Sequence, residues 1–341
     1  MTIIFKQAPL KQFKDTFIKH FRSLTAAYGL VIIMHLIAYL ATGEQFAIIE
    51  FLNTFAHLLW LPAFVILPLC FVLKEWRIGL MLIPAVIAFL LIWGDMLVPN
   101  NPPQASDEDT QFRVATYNML AFNRVNFDYI EILRDVDADL VALQELDFLQ
   151  ARMLTDNLSD LYPYMAFHAG GPAGQGIMSK YPILEDDYWQ YDFLNAKLGH
   201  QRVVIELADG QEVVIYNAHP THPGIQGPLF TTEYRTREIV DLLNRTSQET
   251  LPTILMGDFN TPDFSSDYMR LTNQFNDAYR IAGDGLGWTF PRIAGLPSAF
   301  IRIDYIFLDD NIQAQDAGLW RDFSGSDHNL LYADLFIEVQ N

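Results

Sequence analysis

Asp258 and Asn260 stand two residues apart in Gly257-Asp258-Phe259-Asn260, at the end of an apolar run within residues 251–263, LPTILMGDFNTPD. An extended backbone points side chains i and i+2 the same way, so a carboxylate and an amide would lie side by side where a buried strand leaves the core. The same tetrapeptide also reads as a turn, because Gly, Asp and Asn are turn formers. Other apolar runs likewise end in, or hold, polar groups. Residues 113–119 (RVATYNM) bring out Asn118, residues 139–147 (DLVALQELD) bring out Gln144-Glu145, and residues 213–220 (VVIYNAHP) bring out Asn217 and His219. Residues 301–308 (IRIDYIFL) hold Asp304 among apolar neighbours, and Ser326-Asp327-His328 precedes a strand pattern at 330–337. Carboxylates, amides and imidazoles gathered at strand ends are the groups that move protons, hold a divalent cation and hydrogen-bond a developing oxyanion.

In this order and at these separations the motifs resemble the endonuclease/exonuclease/phosphatase superfamily, the DNase I-like metal-dependent phosphoesterases, over residues 111–339. The resemblance implies an α/β fold, a four-layer α/β sandwich of two mostly antiparallel sheets packed face to face with helices outside. It also implies phosphoric-ester hydrolysis with Mg²⁺ or Mn²⁺, in which Glu145 is a metal ligand with Asn118 beside it. Asp327 is then a further ligand or a group that sets the local charge. His328 is the expected general base, with Asp304 fixing its tautomer, and His219 and Asn260 donate hydrogen bonds to the phosphorane. Asp258 orients or deprotonates the attacking water, a role that overlaps with that of His328. Asp304 adds an argument of its own, since a carboxylate among Ile303, Tyr305, Ile306 and Phe307 is costly to bury without a partner. Readings stay open at His222 (substrate contact or solvated loop), Arg202 (phosphate contact or surface residue), and Trp288 with Phe290 (pocket lining or edge of the sandwich).

Strands are expected at 112–117, 140–143 and 164–167, with helices at 126–136, capped by Asn126 with Phe127, Ile130 and Leu133 on one face, and at 147–161. A hairpin joins 203–207 to 212–216 through Ala208-Asp209-Gly210, and a helix follows at 231–245.

What precedes these elements is of another kind. The chain is 51% apolar, and the excess lies in residues 24–43, 51–73 and 78–98, whose only charged residue is Asp95. Each is long enough to span a bilayer, which takes about 20 apolar residues. Pro62 and Pro68 should kink the second span; His35 and His57 should make interhelical hydrogen bonds. The flank 1–23 carries Lys6, Lys11, Lys14, Lys19 and Arg22, the second loop carries Lys74 and Arg77, and the first loop, 44–50, has no basic residue. The positive-inside rule therefore places the N-terminus and the second loop in the cytoplasm. The first span is too long for a cleavable signal and is expected to be retained. The expected organisation is a basic leader at 1–23, a three-helix membrane anchor at 24–98, a Pro- and acid-rich linker at 99–110 and a catalytic domain at 111–341. Three crossings put that domain outside the cytoplasmic membrane, as in a bacterial integral membrane protein.

The chain from Asp107 onward holds 15 basic and 36 acidic residues, a net charge of −21. Such a domain repels a polyanionic strand. A lipid-borne phosphate or diphosphate beside the bilayer is the expected substrate, with an exported nuclease of the same fold as the alternative and a catalytically silent binding module as a second one. Cys70 is the single cysteine, which leaves the expected catalytic domain without thiols.

Overall fold

The computed structural model describes residues 8–123, 128–193, 197–208, 210–224, 230–293, 299–321 and 325–338. The expected helix cap Asn126, its neighbour Phe127 and the hairpin residue Asp209 lie outside them. The chain divides into two compact units, 1–94 and 95–341.

In the first unit, helix α1 (Ala8–Thr42) joins leader and first span into one 35-residue rod. Two helical stretches are long and apolar enough to cross a membrane, Gln12–Thr42 and Trp76–Trp93. The second contains α5 (Trp76–Gly79), a 3₁₀ turn at Leu80–Leu82 and α6 (Ile83–Trp93). Between them lie α2 (Ala47–Thr54), α3 (Ala56–Trp60) and α4 (Ala63–Val72), and the second expected span, with its expected proline kinks, is a pair of helices bent by 71°. Three crossings arise only if that bent pair is a single span. The sharp bend falls at Phe55 (φ −110°, ψ 15°), ahead of both prolines, and Pro68 stays inside α4. Its surroundings give a physical reason. Asn53 is held by the His35 imidazole at 2.9 Å and donates to Glu44 at 2.8 Å, while Thr54 Oγ1 donates back to the Glu50 carbonyl at 3.0 Å. Side-chain bonds of the last kind compete with the helix ladder and bend it. Arg22 grips Glu75 with two hydrogen bonds, 2.9 and 2.6 Å, so the basic flank and the second loop sit at the same end of the unit.

The second unit begins at Asp95, four residues before the expected linker, and Asp95 ion-pairs with Arg280 at 2.7 Å. The linker is docked: Asn100 Nδ2 donates to the Gly283 carbonyl at 2.7 Å. One sheet contains β1 (Thr110–Asn118), β2 (Leu140–Gln144), β3 (Tyr164–His168), β4 (Gln175–Ser179), β11 (Ile312–Trp320) and β12 (Leu330–Ile337), in the order β11-β12-β1-β2-β4-β3. The other contains β5 (Ile183–Gln190), β6 (Gly199–Glu206), β7 (Glu212–Ala218), β8 (Thr253–Asp258), β9 (Asn276–Asp277) and β10 (Asp304–Leu308), in the order β5-β6-β7-β8-β10-β9. Only β1/β2 and β7/β8 pair in parallel. A parallel pair needs a crossover. Helix α7 (Tyr129–Val136) supplies the first and α9 (Glu233–Thr246) the second.

Helix α7 and α8 (Phe148–Leu158) bury Leu133 and Leu154 against Tyr117, Leu143 and Met178 of the first sheet. Helix α9 and α10 (Ser266–Thr272) bury Leu242 and Leu271 against Leu255 and Phe307 of the second; the short α11 (Ala278–Ala282) follows. Asp147 starts α8 with a capping box, accepting from the Leu149 and Gln150 amides while Gln150 reaches back. The inner faces meet through a buried bond from Gln144 Nε2 to Asn217 Oδ1, 2.7 Å. The unit is a mixed α/β, two-sheet DNase I-like fold with helices on both outer faces.

Candidate active site

Both parallel pairs end on one edge of the sandwich, and that edge collects the polar groups. Asn118 ends β1, Glu145 follows β2, His219 follows β7 and Asp258 ends β8. Strand β10 runs the other way, so its first residue, Asp304, pairs in register with Asp258. On its other side β8 lies close to β7 at Gly257 (φ 145°), where a Cβ would stand 2.0 Å from the Ala218 carbonyl oxygen.

Asp304 is fully buried and receives His328 Nδ1 at 2.9 Å. The opposite ring nitrogen, Nε2, lies 3.6 Å from Asp258 Oδ2. Burial alone would lower the His328 pKa, but the charges of Asp304 and Asp258 and the Asp304 hydrogen bond outweigh it and raise it to about 10. His328, expected as general base, is therefore an imidazolium at neutral pH in this arrangement, which makes it a donor. Burial, helped by Asp304, pushes Asp258 above the usual carboxylate range against the pull of His328 and His219. A carboxylate shifted that way is a better base near neutral pH.

Asn118 is buried and its amide links the two carboxylates, donating to Asp258 Oδ2 at 2.9 Å and to Glu145 Oε1 at 3.2 Å. Glu145 (φ 54°) and Asn260 (φ 51°) adopt the left-handed conformation, a cost that non-glycine residues carry mainly at functional sites. His219 Nε2 lies 3.6 Å from Asp258 and 3.9 Å from Glu145, too far for hydrogen bonds, and its buried Nδ1 has no partner among the described residues. Asp327 Oδ1 is 4.0 Å from His328 Nε2, and burial, with Glu145 and Asp258 nearby, raises its pKa in spite of His328.

The expected pairing of Asp258 and Asn260 along an extended strand is corrected. The strand ends at Asp258, whose Oδ1 accepts the Asn260 backbone N–H at 2.9 Å, so the turn reading holds from there on. Asn260 reaches the neighbouring loop instead, donating to the Pro220 carbonyl at 3.0 Å. The second amide proton of its Nδ2 is left to donate elsewhere.

Arg202 is not at this edge; it binds Glu249 at 2.6 Å and Glu185 at 2.7 Å. His222 is exposed, its Nδ1 facing the Pro223 carbonyl at 3.2 Å. The Phe290 ring packs on the His328 ring with centroids 4.8 Å apart, so this aromatic does line the site.

Further residues, of which only Ser326 stood in a motif, hold the site in place. Ser326 Oγ donates to the Asn118 carbonyl at 2.7 Å and accepts the His328 amide at 3.1 Å, and Thr289 Oγ1 accepts the Asp304 amide at 3.3 Å. Buried Glu238 on α9 accepts the Thr221 amide at 2.6 Å and faces His200 Nε2 at 3.4 Å, and His200 Nδ1 accepts the His219 amide at 3.4 Å. One turn earlier, Arg235 donates to the Asn260 carbonyl at 2.6 Å.

The donors suit a hard cation: the carboxylates of Glu145, Asp258 and Asp327 are oxygen ligands of the kind Mg²⁺ and Mn²⁺ take, while Asn118 Oδ1 accepts the Leu120 amide at 3.0 Å. Asp258, Asp304 and His328 also bring ligand atoms within 4.8 Å of one another. Asp304 and His328 Nδ1 already satisfy each other, which favours the Glu145 side for a cation.

The sequence matches the Endonuclease/Exonuclease/phosphatase family over residues 115–328. No curated protein matches the chain. Among solved structures, an endonuclease/exonuclease/phosphatase family protein from Bacteroides thetaiotaomicron is similar at 19% identity and TM-score 0.58, covering 68% of this chain and 100% of its own. The D. rerio protein TDP2, complexed with single-strand DNA product, is similar at 16% identity and TM-score 0.56, covering 67% and 99%. A mannosyl-6-phosphatase from Bacteroides thetaiotaomicron is similar at 20% identity and TM-score 0.53, covering 66% and 99%. These likenesses speak for the fold alone, whereas the family match spans well over half of the sequence and takes in every strand-end group from Asn118 to His328. The chain belongs to the endonuclease/exonuclease/phosphatase family.

Proposed function

We propose that the chain is a membrane-anchored phosphoric-ester hydrolase, dependent on Mg²⁺ or Mn²⁺, whose catalytic unit works outside the cytoplasm on a phosphate or diphosphate carried by a lipid. The observation that carries the hydrolase reading is the convergence of a buried His328–Asp304 pair, Asp258, Asn118, Glu145 and His219 on one sheet edge. A divalent cation held by Glu145, with Asn118 beside it and Asp327 as a further carboxylate, would neutralise charge on the phosphoryl oxygens. Asp258 orients the attacking water and takes its proton as the water oxygen bonds to phosphorus and the bond to the leaving oxygen breaks. The His328 imidazolium, His219 and the free Asn260 amide proton donate to the oxygens that gain charge. Asp304 keeps His328 protonated and turned toward Asp258. All eight expected site residues are present, which argues against a silent module, although a fold alone does not make an enzyme.

The lipid substrate is supported by the apolar helices of the first unit and by the net charge of −21 from Asp107 onward. A single phosphate screened by a cation tolerates that charge better than a polyanionic strand does. An anchored enzyme also gains effective concentration on a substrate in the same bilayer. The nuclease reading has one observation in its favour, the similarity to a structure that holds single-strand DNA product. The test is phosphate or headgroup release from mixed detergent micelles by the full-length protein, beside single- and double-stranded DNA at matched phosphate and physiological salt. Lipid phosphate is expected to be released, with His328→Ala at least about a hundredfold slower. Efficient cutting of DNA with no lipid phosphate touched would replace this reading with the nuclease. No turnover of any phosphoester with any divalent metal would end both.

A further inference from the structure

Beside the catalytic edge lies a cavity of about 360 Å³ that the chemistry above leaves unused. Leu97, Leu286, Trp288 and Leu319 give it apolar walls, and two arginines, Arg292 and Arg321, also line it. It is tied to the catalytic loop at two points. The Arg292 backbone amide donates to the Asp327 carbonyl at 2.5 Å, and Asn329, which also lines the cavity, donates through Nδ2 to the Trp288 carbonyl at 3.2 Å. The glycine-rich stretch fits closely here: Gly287 (φ 62°) could not carry a Cβ, which would stand 2.6 Å from the Tyr279 ring.

The arginines are what make this cavity unusual in so acidic a unit. Arg113, Arg134, Arg202, Arg235, Arg245, Arg270, Arg280 and Arg302 each pair with a carboxylate at 2.9 Å or less. Arg292 and Arg321 have no carboxylate partner among the described residues. Arg292 Nη2 donates to the Arg321 carbonyl at 3.0 Å, which holds the pair together, and the buried Arg292 Nε has no acceptor among the described residues. The lining carboxylate, Asp284, is exposed and pairs with neither. Two arginines that line one cavity without a carboxylate partner suit an anion with several acceptor oxygens, and planar N–H forks match phosphate. The leucines and Trp288 favour an apolar continuation of the same ligand.

We propose that this cavity binds a second phosphate of the substrate together with the start of its apolar chain, while the first phosphate is attacked at His328, so that the preferred substrate is an amphiphilic diphosphate. This rests on the hydrolase reading above. A second phosphate reaches the site on a lipid or on a nucleoside diphosphate, and the cavity's leucines favour the lipid.

The experiment uses the full-length protein in mixed micelles with the metal that gives turnover, and compares farnesyl diphosphate, farnesyl monophosphate, ADP and the generic diester bis(p-nitrophenyl) phosphate. The readout is kcat/KM for each, expressed relative to the diester. Farnesyl diphosphate is expected to exceed both the monophosphate and ADP by at least about tenfold, the worth of one charge-assisted hydrogen bond. Arg321→Gln, at an exposed position, should cut that preference about tenfold, mainly through KM, and Arg292→Gln at least as much. Arg237→Gln is the control: Arg237 also pairs with no carboxylate in the described structure, lies over the Phe193 ring at 4.1 Å, and should leave the preference as it is. No turnover of any of the four compounds by the wild type would sink the hydrolase reading itself. Diester turnover with equal rates on diphosphate and monophosphate, or a preference unmoved by Arg321→Gln, would overturn the cavity proposal and leave that reading standing. A preference for ADP over farnesyl diphosphate would overturn the lipid assignment.

Discussion

Asp304→Asn asks whether the buried partner of His328 supplies charge or only shape. The amide keeps the volume of the carboxylate and a hydrogen bond to Nδ1, and removes one negative charge from a fully buried position. In the wild type, burial pulls His328 toward the neutral form, and the charge of Asp304 is the largest of the effects that reverse this and raise its pKa to about 10. With that charge gone, burial is opposed chiefly by Asp258, and the pKa falls back toward the neutral range. At about pH 7.5 the variant loses its imidazolium donor, a loss worth about 3 kcal/mol at a developing oxyanion, or roughly a hundred- to a thousandfold in kcat. The assay is kcat/KM for bis(p-nitrophenyl) phosphate across about pH 5 to 9, where the variant should regain rate as pH falls and His328 takes up its proton. Stability should follow the same group. His328 has a folded pKa above its unfolded value, so its contribution is fully present below about pH 6.5 and is lost as pH rises through about 10. The melting temperature of the wild type should therefore fall across that window by a step that the variant lacks. A variant with the wild-type rate at about pH 7.5 would refute the charge argument, and so would a pH profile merely scaled down with its shape unchanged.

Glu145→Gln should raise the Mg²⁺ or Mn²⁺ concentration needed for half-maximal rate at least about tenfold, read from metal titrations of turnover; an unchanged requirement would move the cation away from Glu145. Glu238→Gln, which disturbs the grip of α9 on the Thr221 amide and His200, should lower kcat by about tenfold with little change in KM, because small misplacements of catalytic groups cost rate rather than binding. If KM alone rises, the His219 loop is a binding element instead. A reporter fused after Glu338 should be active only outside the cytoplasm, and one inserted at Lys74 only inside. A C-terminal reporter active in the cytoplasm would mean that the bent pair around Phe55 does not cross, leaving an even number of crossings.

Four of the candidate site groups were legible because each stands at the end of a buried strand, where an apolar run of about five residues stops at a polar one. Asn118, Glu145, His219 and Asp258 all obey that local rule, and Asp304 betrays itself by standing among apolar residues that would not tolerate it unpaired. Local rules end where contacts become distant. Nothing in the pattern of α9 marks Arg235 and Glu238, whose side chains are polar residues on an otherwise ordinary amphipathic helix. Their task is visible only once the β7–α9–β8 crossover brings the helix back over the loops that hold His219 and Asn260. Thr289 is similarly anonymous, since a hydroxyl beside a site loop has the same local signature as one in any turn.

The same distinction explains the apolar first unit. Hydropathy marks where the chain is apolar enough to cross a membrane, but says nothing about a side chain gripping another helix. Just before the bend at Phe55, Asn53 is held by His35 and Glu44, 18 and 9 residues earlier in the chain, so the prolines that draw the eye are not where the helix turns. That bond has a testable corollary in the fold itself. With Asn53→Leu the polar hold is gone, α2 and α3 have less reason to part at Phe55, and a cysteine placed at Ile48 should become less accessible to a water-soluble thiol reagent as the segment straightens into the bilayer, with Cys70 replaced by Ala in both backgrounds. Equal labelling of the two proteins would show that the bend is fixed by something other than Asn53.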